Sequence, residues 1–266
     1  MCKTWLVIST MESSLCYLIS KCLIILLCLC IHLFTRFLSS TQPLCHDSES
    51  SALLQFKQSL KIKESASKIA SWKLGGDNND CCLWKGIDCD ENSGHVIDLD
   101  LSNSNLYGSI NSNSSLFQLD HLQSLNLAFN DFSYSEIPAR IGQLSRLTYL
   151  NLSSSVFSGK ISPLICSMSS LQVPNLSNNS LDGSIPQRLF NFSYSLQVVN
   201  LKSNNLQGGI PQSWSEVNNL KLINLSQNKI QGQLPKSLAY CTALENLDVS
   251  DNQLNDVFPT YLAAQG

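Results

Sequence analysis

The sequence predicts an α/β solenoid: a right-handed superhelix with a parallel sheet on its concave face, preceded by a helical, disulfide-bonded N-terminal cap. Three observations support this prediction. Leu, Ser and Asn (44, 43 and 24 residues) fill 111 of the 266 positions while charged residues make up only 14%, and so narrow a composition indicates repetition. From Val96 onward, one pattern recurs about every 25 residues. Four cysteines bracket the region before the repeats.

Residues 1–41 are predicted to be a secretory signal peptide. Lys3 and Lys21 precede the apolar run Cys22–Phe34, and small residues follow it at positions 39–41. This order of charged, apolar and small residues is that of a signal peptide. The run has 13 residues, whereas a membrane-spanning helix needs about 20. An uncleaved signal-anchor is the alternative interpretation.

Six cysteines follow that segment, and four of them, Cys45, Cys81, Cys82 and Cys89, lie in one short region. Such a cluster is typical of disulfides in a secreted protein. A zinc site is the competing interpretation, but zinc ligands are usually spaced two to four residues apart, and adjacent Cys81 and Cys82 fit that spacing poorly. Sequence alone does not choose among the three pairings of four cysteines.

Residues 42–94 are predicted to form the N-terminal cap. Asp47 or Ser48 can cap a helix whose apolar residues share one face as far as Leu60. A second short helix is predicted around residues 65–71. Turn residues then end this helical part of the cap.

Residues 95–266 contain about seven copies of the pattern L-x-L-x-x-N-x-L-x-G-x-I-P. Successive residues at the N position are 24 to 26 residues apart. Seven matches at a nearly constant pitch identify a repeat architecture. Coil five, a well-matched copy, consists of Val199, Leu201, Asn204, Leu206, Gly208, Ile210 and Pro211. Coils one to seven are numbered in chain order, and their patterns begin at Leu99, Leu125, Leu150, Pro174, Val199, Ile223 and Leu247.

Each L-x-L is predicted to be a short strand whose two apolar side chains point into the core. Parallel stacking of these strands closes the backbone hydrogen bonds between coils, although Pro174 removes one donor in coil four. The recurring asparagine is structural in this interpretation, because its amide can bond backbone groups of its own and the neighbouring coil. The members of this predicted asparagine ladder are Asn130, Asn179, Asn204, Asn228 and Asn252.

Several segments resemble a known family. Residues 80–89 (DCCLWKGIDC) and 94–102 (GHVIDLDLS) resemble the N-terminal cap of plant extracellular leucine-rich-repeat proteins. The G-x-I-P element is similar to the plant-specific repeat, which adds a second short strand to each coil. Residues 237–248 and 256–259 resemble, more narrowly, the receptor-like proteins of plants. Those proteins are cell-surface receptors with a leucine-rich-repeat ectodomain, one membrane span and a short tail without a kinase.

The resemblance covers about Cys45 to the end of the chain. It implies the disulfides Cys45–Cys81 and Cys82–Cys89. Members of the family continue through more coils, a C-terminal cap and a membrane helix, so we expect this chain, which has no C-terminal cap, to be a fragment or a truncated product. Cys166 and Cys241 lie three coils apart, about 14 Å at normal strand spacing, which is too far for a disulfide.

No catalytic, cofactor or metal site is predicted. The net charge of −3 offers no electrostatic footprint for nucleic acid. The sequence contains no G-x-S-x-G, H-E-x-x-H or phosphate-loop motif, which disfavours an enzyme. The histidines include no pair close enough in sequence to suggest a metal site; they are His32, His46, His95 and His121.

Three functions compete. The resemblance implies an extracellular recognition module at the plasma membrane, binding a peptide, glycan or protein ligand and signalling through partner kinases, with a receptor-kinase co-receptor as a further partner. The first alternative is a secreted apoplastic protein resembling polygalacturonase inhibitors. The second is a non-functional truncated remnant. Membrane attachment would come only through a missing C-terminal span or an uncleaved N-terminal anchor.

The outward strand positions predict where a ligand binds. One column varies in chemistry and contains exposed apolar residues, as a binding stripe does, and recognition is expected to centre on coil five. The predicted contacts are Tyr149, Val173, Val198, Asn200, Lys202 and Leu222. Six N-x-S sequons are potential glycosylation sites, and coil five has no concave sequon because Lys202 replaces Ser. The sequon asparagines are Asn113, Asn151, Asn175, Asn178, Asn191 and Asn224.

Overall fold

The computed structural model describes residues 20–21, 23–30, 43–62, 67–75, 80–190, 194–215 and 219–255. The chain divides into two compact units, residues 1–43 and 44–266. In the first unit, residues 20–21 and 23–30 are helical, and the rest of the predicted signal segment lies outside the described residues. None of the helices in the described ranges is long and apolar enough to cross a membrane. The domain boundaries inferred from the sequence stay predictions.

The second unit begins with helix α1 (Asp47–Ser59). The predicted capping residue was wrong: His46 holds the N-cap position and makes no side-chain capping bond. Asp47 lies instead in the first turn, where a carboxylate interacts favourably with the helix dipole. One face of α1 buries Leu53 and Phe56 in the core, as the apolar spacing predicted.

Two short 3-10 helices complete the helical part of the cap, η1 (Lys68–Ser71) and η2 (Cys81–Leu83). η1 lies within the predicted second helix, residues 65–71, of which residues 65 and 66 are outside the described residues. The chain then reaches Gly86, whose φ is +85°. A Cβ there would lie 2.3 Å from the carbonyl oxygen of Asp100, so only glycine allows this close approach of cap and first coil.

Two disulfides join the cap cysteines as the resemblance implied. Cys45 bonds Cys81 and Cys82 bonds Cys89, with Cα–Cα distances of 5.4 and 5.5 Å. The competing zinc interpretation is therefore wrong, because none of the four sulfurs is a thiolate. Trp72 and Trp84 stack with ring centroids 5.6 Å apart, and both belong to the same buried core as Cys81.

Fifteen short strands lie within the described residues. In chain order they are β1 (Lys61–Ile62), β2 (Ile87–Cys89), β3 (Val96–Asp100), β4 (Leu106–Tyr107), β5 (Ser124–Asn126), β6 (Tyr149–Asn151), β7 (Ser158–Lys160), β8 (Val173–Asn175), β9 (Ser180–Asp182), β10 (Val198–Asn200), β11 (Gln207–Gly209), β12 (Leu222–Asn224), β13 (Lys229–Gly232), β14 (Asn246–Asp248) and β15 (Gln253–Leu254). The strands are two to five residues long, because each coil contributes only a few residues to a sheet before the chain turns.

The main sheet has eight strands in the order β14-β12-β10-β8-β6-β5-β3-β2. β2 pairs with β3 antiparallel, and every other neighbour in this sheet is parallel. Each parallel neighbour is the equivalent strand of the next coil, so the sheet is the concave face that the L-x-L period predicted. The outward side of this sheet is called the concave face below.

The second strands of the coils form smaller sheets. β7 pairs with β9, and β11, β13 and β15 form a three-stranded parallel sheet. Four 3-10 helices lie in the return segments of the coils: η3 (Ser115–Gln118), η4 (Ala139–Gln143), η5 (Ile165–Ser167) and η6 (Lys236–Tyr240). The buried leucines of successive coils belong to one continuous hydrophobic core, because each coil covers the apolar edge of its neighbour.

Pro174 weakens the main sheet at one interface. The paired residues between β8 and β10 are reduced to Asn175 and Asn200, whereas β10 and β12 pair over three residues. Leu176 still donates its backbone N–H to the Asn200 carbonyl at 2.9 Å. Two residues earlier, proline has no N–H to donate.

Cys166 and Cys241 form no disulfide, as the coil spacing predicted, and both are buried. Burial raises the pKa of the Cys166 thiol to about 11. A protonated, buried thiol behaves as a small apolar side chain.

Candidate recognition surface on the concave face

An apolar column runs along the concave face. Tyr149, Val173, Val198 and Leu222 each begin a parallel strand, and all four are half-buried. Tyr149 pairs with Val173, and Val198 pairs with Leu222. Because paired residues of parallel strands point to the same side, the column exposes apolar surface over four consecutive coils.

A column of asparagines lies beside it, and most of them are tied to the scaffold. In coils three, four and six the Asn Oδ1 accepts two hydrogen bonds from the serine two residues later, one from its backbone N–H and one from its hydroxyl. The pairs are Asn151–Ser153, Asn175–Ser177 and Asn224–Ser226. All three serines are buried, so their hydroxyl groups serve the fold and are not offered to a ligand.

Coil five departs from this arrangement because Lys202 takes the place of the serine. Asn200 Oδ1 accepts a single hydrogen bond, from the Lys202 backbone N–H at 3.2 Å. Half-buried Lys202 adds a positive charge to the concave face. Hydrogen bonds from Ser250 hold the pKa of Asp248 below its usual range, and the Lys202 charge adds to that shift. Coil five thus combines an apolar, a polar and a cationic side chain at Val198, Asn200 and Lys202.

The six sequons differ in their surroundings. Asn151, Asn175 and Asn224 are the residues bonded to their own sequon serine, so the demands of the fold account for the N-L-S tripeptide without a glycan. Asn113 and Asn178 are exposed. Asn191 lies outside the described residues. Occupancy stays a prediction at all six positions.

The asparagine ladder lies beneath the concave face and positions it. Asn204 is 8% exposed, and its Nδ2 donates to the carbonyls of Leu176, Leu201 and Lys202. Its Oδ1 accepts the backbone N–H of Leu181 in the preceding coil at 3.0 Å. The same contacts recur at Asn130, Asn179, Asn228 and Asn252.

Serine replaces this asparagine in coil three, and the backbone adjusts. The Ser155 hydroxyl donates to the carbonyls of Leu127 and Ser153 at 2.8 and 3.0 Å. The N–H of Phe132, which corresponds to that of Leu181, donates to the Ser155 backbone carbonyl at 3.0 Å. A backbone hydrogen bond thus substitutes for the missing side-chain acceptor.

An acidic patch lies where the cap meets the first coil. Asp98 pairs with Asp88 across β2 and β3. Burial raises the pKa of Asp98, and the neighbouring charges of Asp88 and Asp100 raise it further, whereas a hydrogen bond with Ser124 opposes them. Lys68 Nζ lies 3.0 Å from Asp100 Oδ1, which neutralises part of this patch.

Three histidines form a stack that the sequence analysis missed. The rings of His46 and His95 stack at 3.9 Å, and those of His95 and His121 stack at 3.5 Å. No two of these histidines are close in sequence, so the absence of a close pair in sequence did not indicate their distance in the structure. The signal was present: His95 and His121 each precede paired strand residues, Asp98 and Ser124, by three positions. Equivalent positions in successive coils lie side by side.

A buried carboxylate faces the stack. Glu49 of α1 is 4% exposed, and its Oε2 accepts the backbone N–H of Val96 at 3.0 Å. Its Oε1 lies 3.2 Å from His95 Nδ1 and 4.0 Å from His121 Nδ1. Glu49, His95 and His121 together could hold a metal ion. Glu49 lies in α1, His95 precedes β3 and His121 precedes β5. The three residues are far apart in the sequence, so no local motif predicted the cluster.

Family models match most of the cap and part of the repeat region. The model for a leucine-rich-repeat N-terminal domain covers residues 46–90, and those for leucine-rich repeats cover residues 146–168 and 194–254. These matches show a leucine-rich-repeat N-terminal domain followed by leucine-rich repeats, and the chain is similar to plant receptor-like proteins. It is 45% identical to Receptor-like protein 6 of Arabidopsis thaliana over 165 residues, which are 56% of this chain and 16% of that protein. The chain therefore spans about a sixth of that relative.

Solved structures agree on the fold. The structure of PEPR1 with AtPEP1 has a TM-score of 0.73 and 32% identity, covering 82% of this chain and 30% of that one. The Arabidopsis receptor kinase HAESA, solved with the peptide hormone IDA and the co-receptor SERK1, has a TM-score of 0.66 and 26% identity, covering 83% of this chain and 40% of that one.

Proposed function

We propose that this chain is the N-terminal part of an extracellular recognition module of a plant receptor-like protein, which reaches the cell surface through the secretory pathway. The module binds a peptide or protein ligand and signals through partner kinases. The observation that carries the proposal is the half-buried apolar column on the concave face of a chain similar to Receptor-like protein 6. Neither the secreted inhibitor nor the truncated remnant is favoured by these relatives.

Recognition centres on coil five in this proposal. An exposed apolar stripe gains free energy when a ligand covers it, and nearby polar groups orient that ligand. In coils three, four and six, buried serines occupy the asparagine oxygens. Coil five instead carries the Lys202 ammonium beside Asn200 and Val198. A ligand with an apolar residue and a carboxylate fits this combination.

The experiment compares variants of the secreted chain. The chain is immobilised, apoplastic fluid is passed over it, and retained peptides and proteins are identified by mass spectrometry. Val198→Asp and Lys202→Glu are expected to abolish retention of a set of molecules that the parent chain holds. Lys236→Glu is the matched control, because Lys236 is exposed in η6 and distant in sequence from coil five. Retention unchanged in both coil-five variants would refute this location for the site.

A further inference from the structure

We propose that Glu49, His95 and His121 form a binding site for a divalent transition-metal ion of the zinc class, at the junction of the cap and the first two coils. The site is separate from the concave apolar column. It would join α1 to the residues that precede β3 and β5.

The donor atoms are close enough for one ion. Glu49 Oε1, His95 Nδ1 and His121 Nδ1 all lie within 4.8 Å of one another. Zinc bonds of about 2.0–2.1 Å in tetrahedral geometry put neighbouring ligand atoms about 3.4 Å apart. The two distances from Glu49 Oε1, 3.2 and 4.0 Å, bracket that value. The three atoms are therefore close enough to share one ion once the rings are reoriented.

The chemistry of the donors selects the class of ion. Two imidazole nitrogens with one carboxylate suit Zn²⁺ and its neighbours, whereas Ca²⁺ and Mg²⁺ prefer oxygen ligands throughout. The second oxygen of Glu49 accepts the Val96 N–H at 3.0 Å, and such outer contacts orient a ligand. Asp120 Oδ1, 2.9 Å from His121 Nδ1, places a second carboxylate beside the three donors.

One ring must turn for the ion to bind. The His95 and His121 rings are parallel within 6° and 3.5 Å apart, so an ion in the plane of one ring lies out of the plane of the other. Despite the nearby Asp120 oxygen, the buried Nδ1 of His121 makes no hydrogen bond to any described residue. His95 is held by Glu49. His121 is therefore the ring that leaves the stack on binding.

His46 supplies a matched control within the same stack. Its ring covers the other face of His95 at 3.9 Å. Its Nε2 lies 3.0 Å from the carbonyl oxygen of Ser93, and it is not part of the three-residue donor cluster. Replacing His46 removes a stacking partner without removing a ligand atom. The cap cysteines do not compete for the ion, because all four are bonded in disulfides.

The experiment uses the full chain, secreted without a polyhistidine tag and with its disulfides intact. Co²⁺ is added as the probe, its visible absorption is recorded, and Zn²⁺ is then added as competitor. One equivalent of Co²⁺ is expected to bind with the absorption of a nitrogen- and oxygen-ligated ion, and Zn²⁺ is expected to displace it. His121→Ala and Glu49→Gln are expected to weaken binding by at least about 10-fold, whereas His46→Ala binds as the parent does.

Each variant is first shown to be folded by circular dichroism. Because His121 lies in a turn and 24% of its side chain is accessible, His121→Ala tests the site even if Glu49→Gln fails to fold. Absence of binding in the parent chain would overturn the proposal. So would binding that is unchanged in His121→Ala or reduced equally in His46→Ala.

Discussion

Replacing Asn204 by alanine tests the asparagine ladder most directly. The change removes three donated hydrogen bonds and one accepted hydrogen bond from a side chain that is 8% exposed. The carbonyls of Leu176 and Leu201 keep a second amide donor, from Asn179 and Asn228. The buried N–H of Leu181 loses its acceptor. The main cost of the substitution therefore falls on one orphaned backbone donor.

The expected magnitude follows from that count. An orphaned buried donor costs about 1–3 kcal/mol, and a lost hydrogen bond whose acceptor keeps another partner costs about 0.5–1.5 kcal/mol at most. We expect Asn204→Ala to lower the free energy of unfolding by about 2–4 kcal/mol. Asn204→Ser should cost less, because Ser155 shows that a serine hydroxyl can bond the carbonyls while the backbone supplies another acceptor.

Urea denaturation measures the change in the free energy of unfolding of the whole chain, and amide hydrogen exchange measures the loss of protection at the Leu181 N–H. Exchange at that amide is expected to accelerate strongly in Asn204→Ala. Asn200→Ala is the control, because Asn200 is half-buried on the concave face and accepts one local hydrogen bond. If Asn204→Ala unfolds at the same urea concentration as the parent, or no earlier than Asn200→Ala, the ladder does not stabilise the coils as argued.

Three further predictions concern the cap and the core. Asp98→Asn should stabilise the chain near neutral pH by about 0.2–1 kcal/mol. Because the pKa of Asp98 is raised in the folded chain, the free energy of unfolding falls as the pH rises from the ordinary aspartate pKa through the raised one. The variant removes that fall. An unchanged pH dependence of unfolding would contradict this. Cys166 should resist alkylation at mildly alkaline pH until denaturant is added, because burial raises its pKa to about 11, and rapid labelling of folded protein would show otherwise. Reduction of Cys45–Cys81 and Cys82–Cys89 should expose the chain near Trp72 to protease first, since loss of one such bridge costs about 2–5 kcal/mol; unaltered cleavage after reduction would argue against it.

The sequence predicts the solenoid well because its information is periodic. The repeated L-x-L and asparagine positions determine strand, turn and neighbour together, and Pro174 marks the weak pairing in advance. Local detail is less predictable. Asp47 and Ser48 are both good capping residues, but the helix begins one residue after His46, whose carbonyl accepts the N–H groups of Glu49 and Ser50.

The two candidate sites also differ in how much of each the repeat pattern predicts. The apolar column could be read from the sequence because each coil repeats its outward positions. The sequence also shows that Asn200 has no serine hydroxyl two residues later, because Lys202 is at that position. The hydrogen bonds between asparagine and serine that make this difference important are seen only in the structure. The Glu49, His95 and His121 cluster joins a helix to two coils. Only the two histidines share the coil period, so the third ligand had no sequence signal.

The single pair between β8 and β10 has a mechanical consequence. In a stack where each coil touches only its neighbours, cooperativity is transmitted one interface at a time. The interface beside Pro174, between coils one to four and coils five to seven, lacks the backbone hydrogen bond that the missing proline N–H would donate. Val173 and Val198 lie on opposite sides of this interface. A ligand that contacts both would bridge the two coils where the sheet has lost that bond.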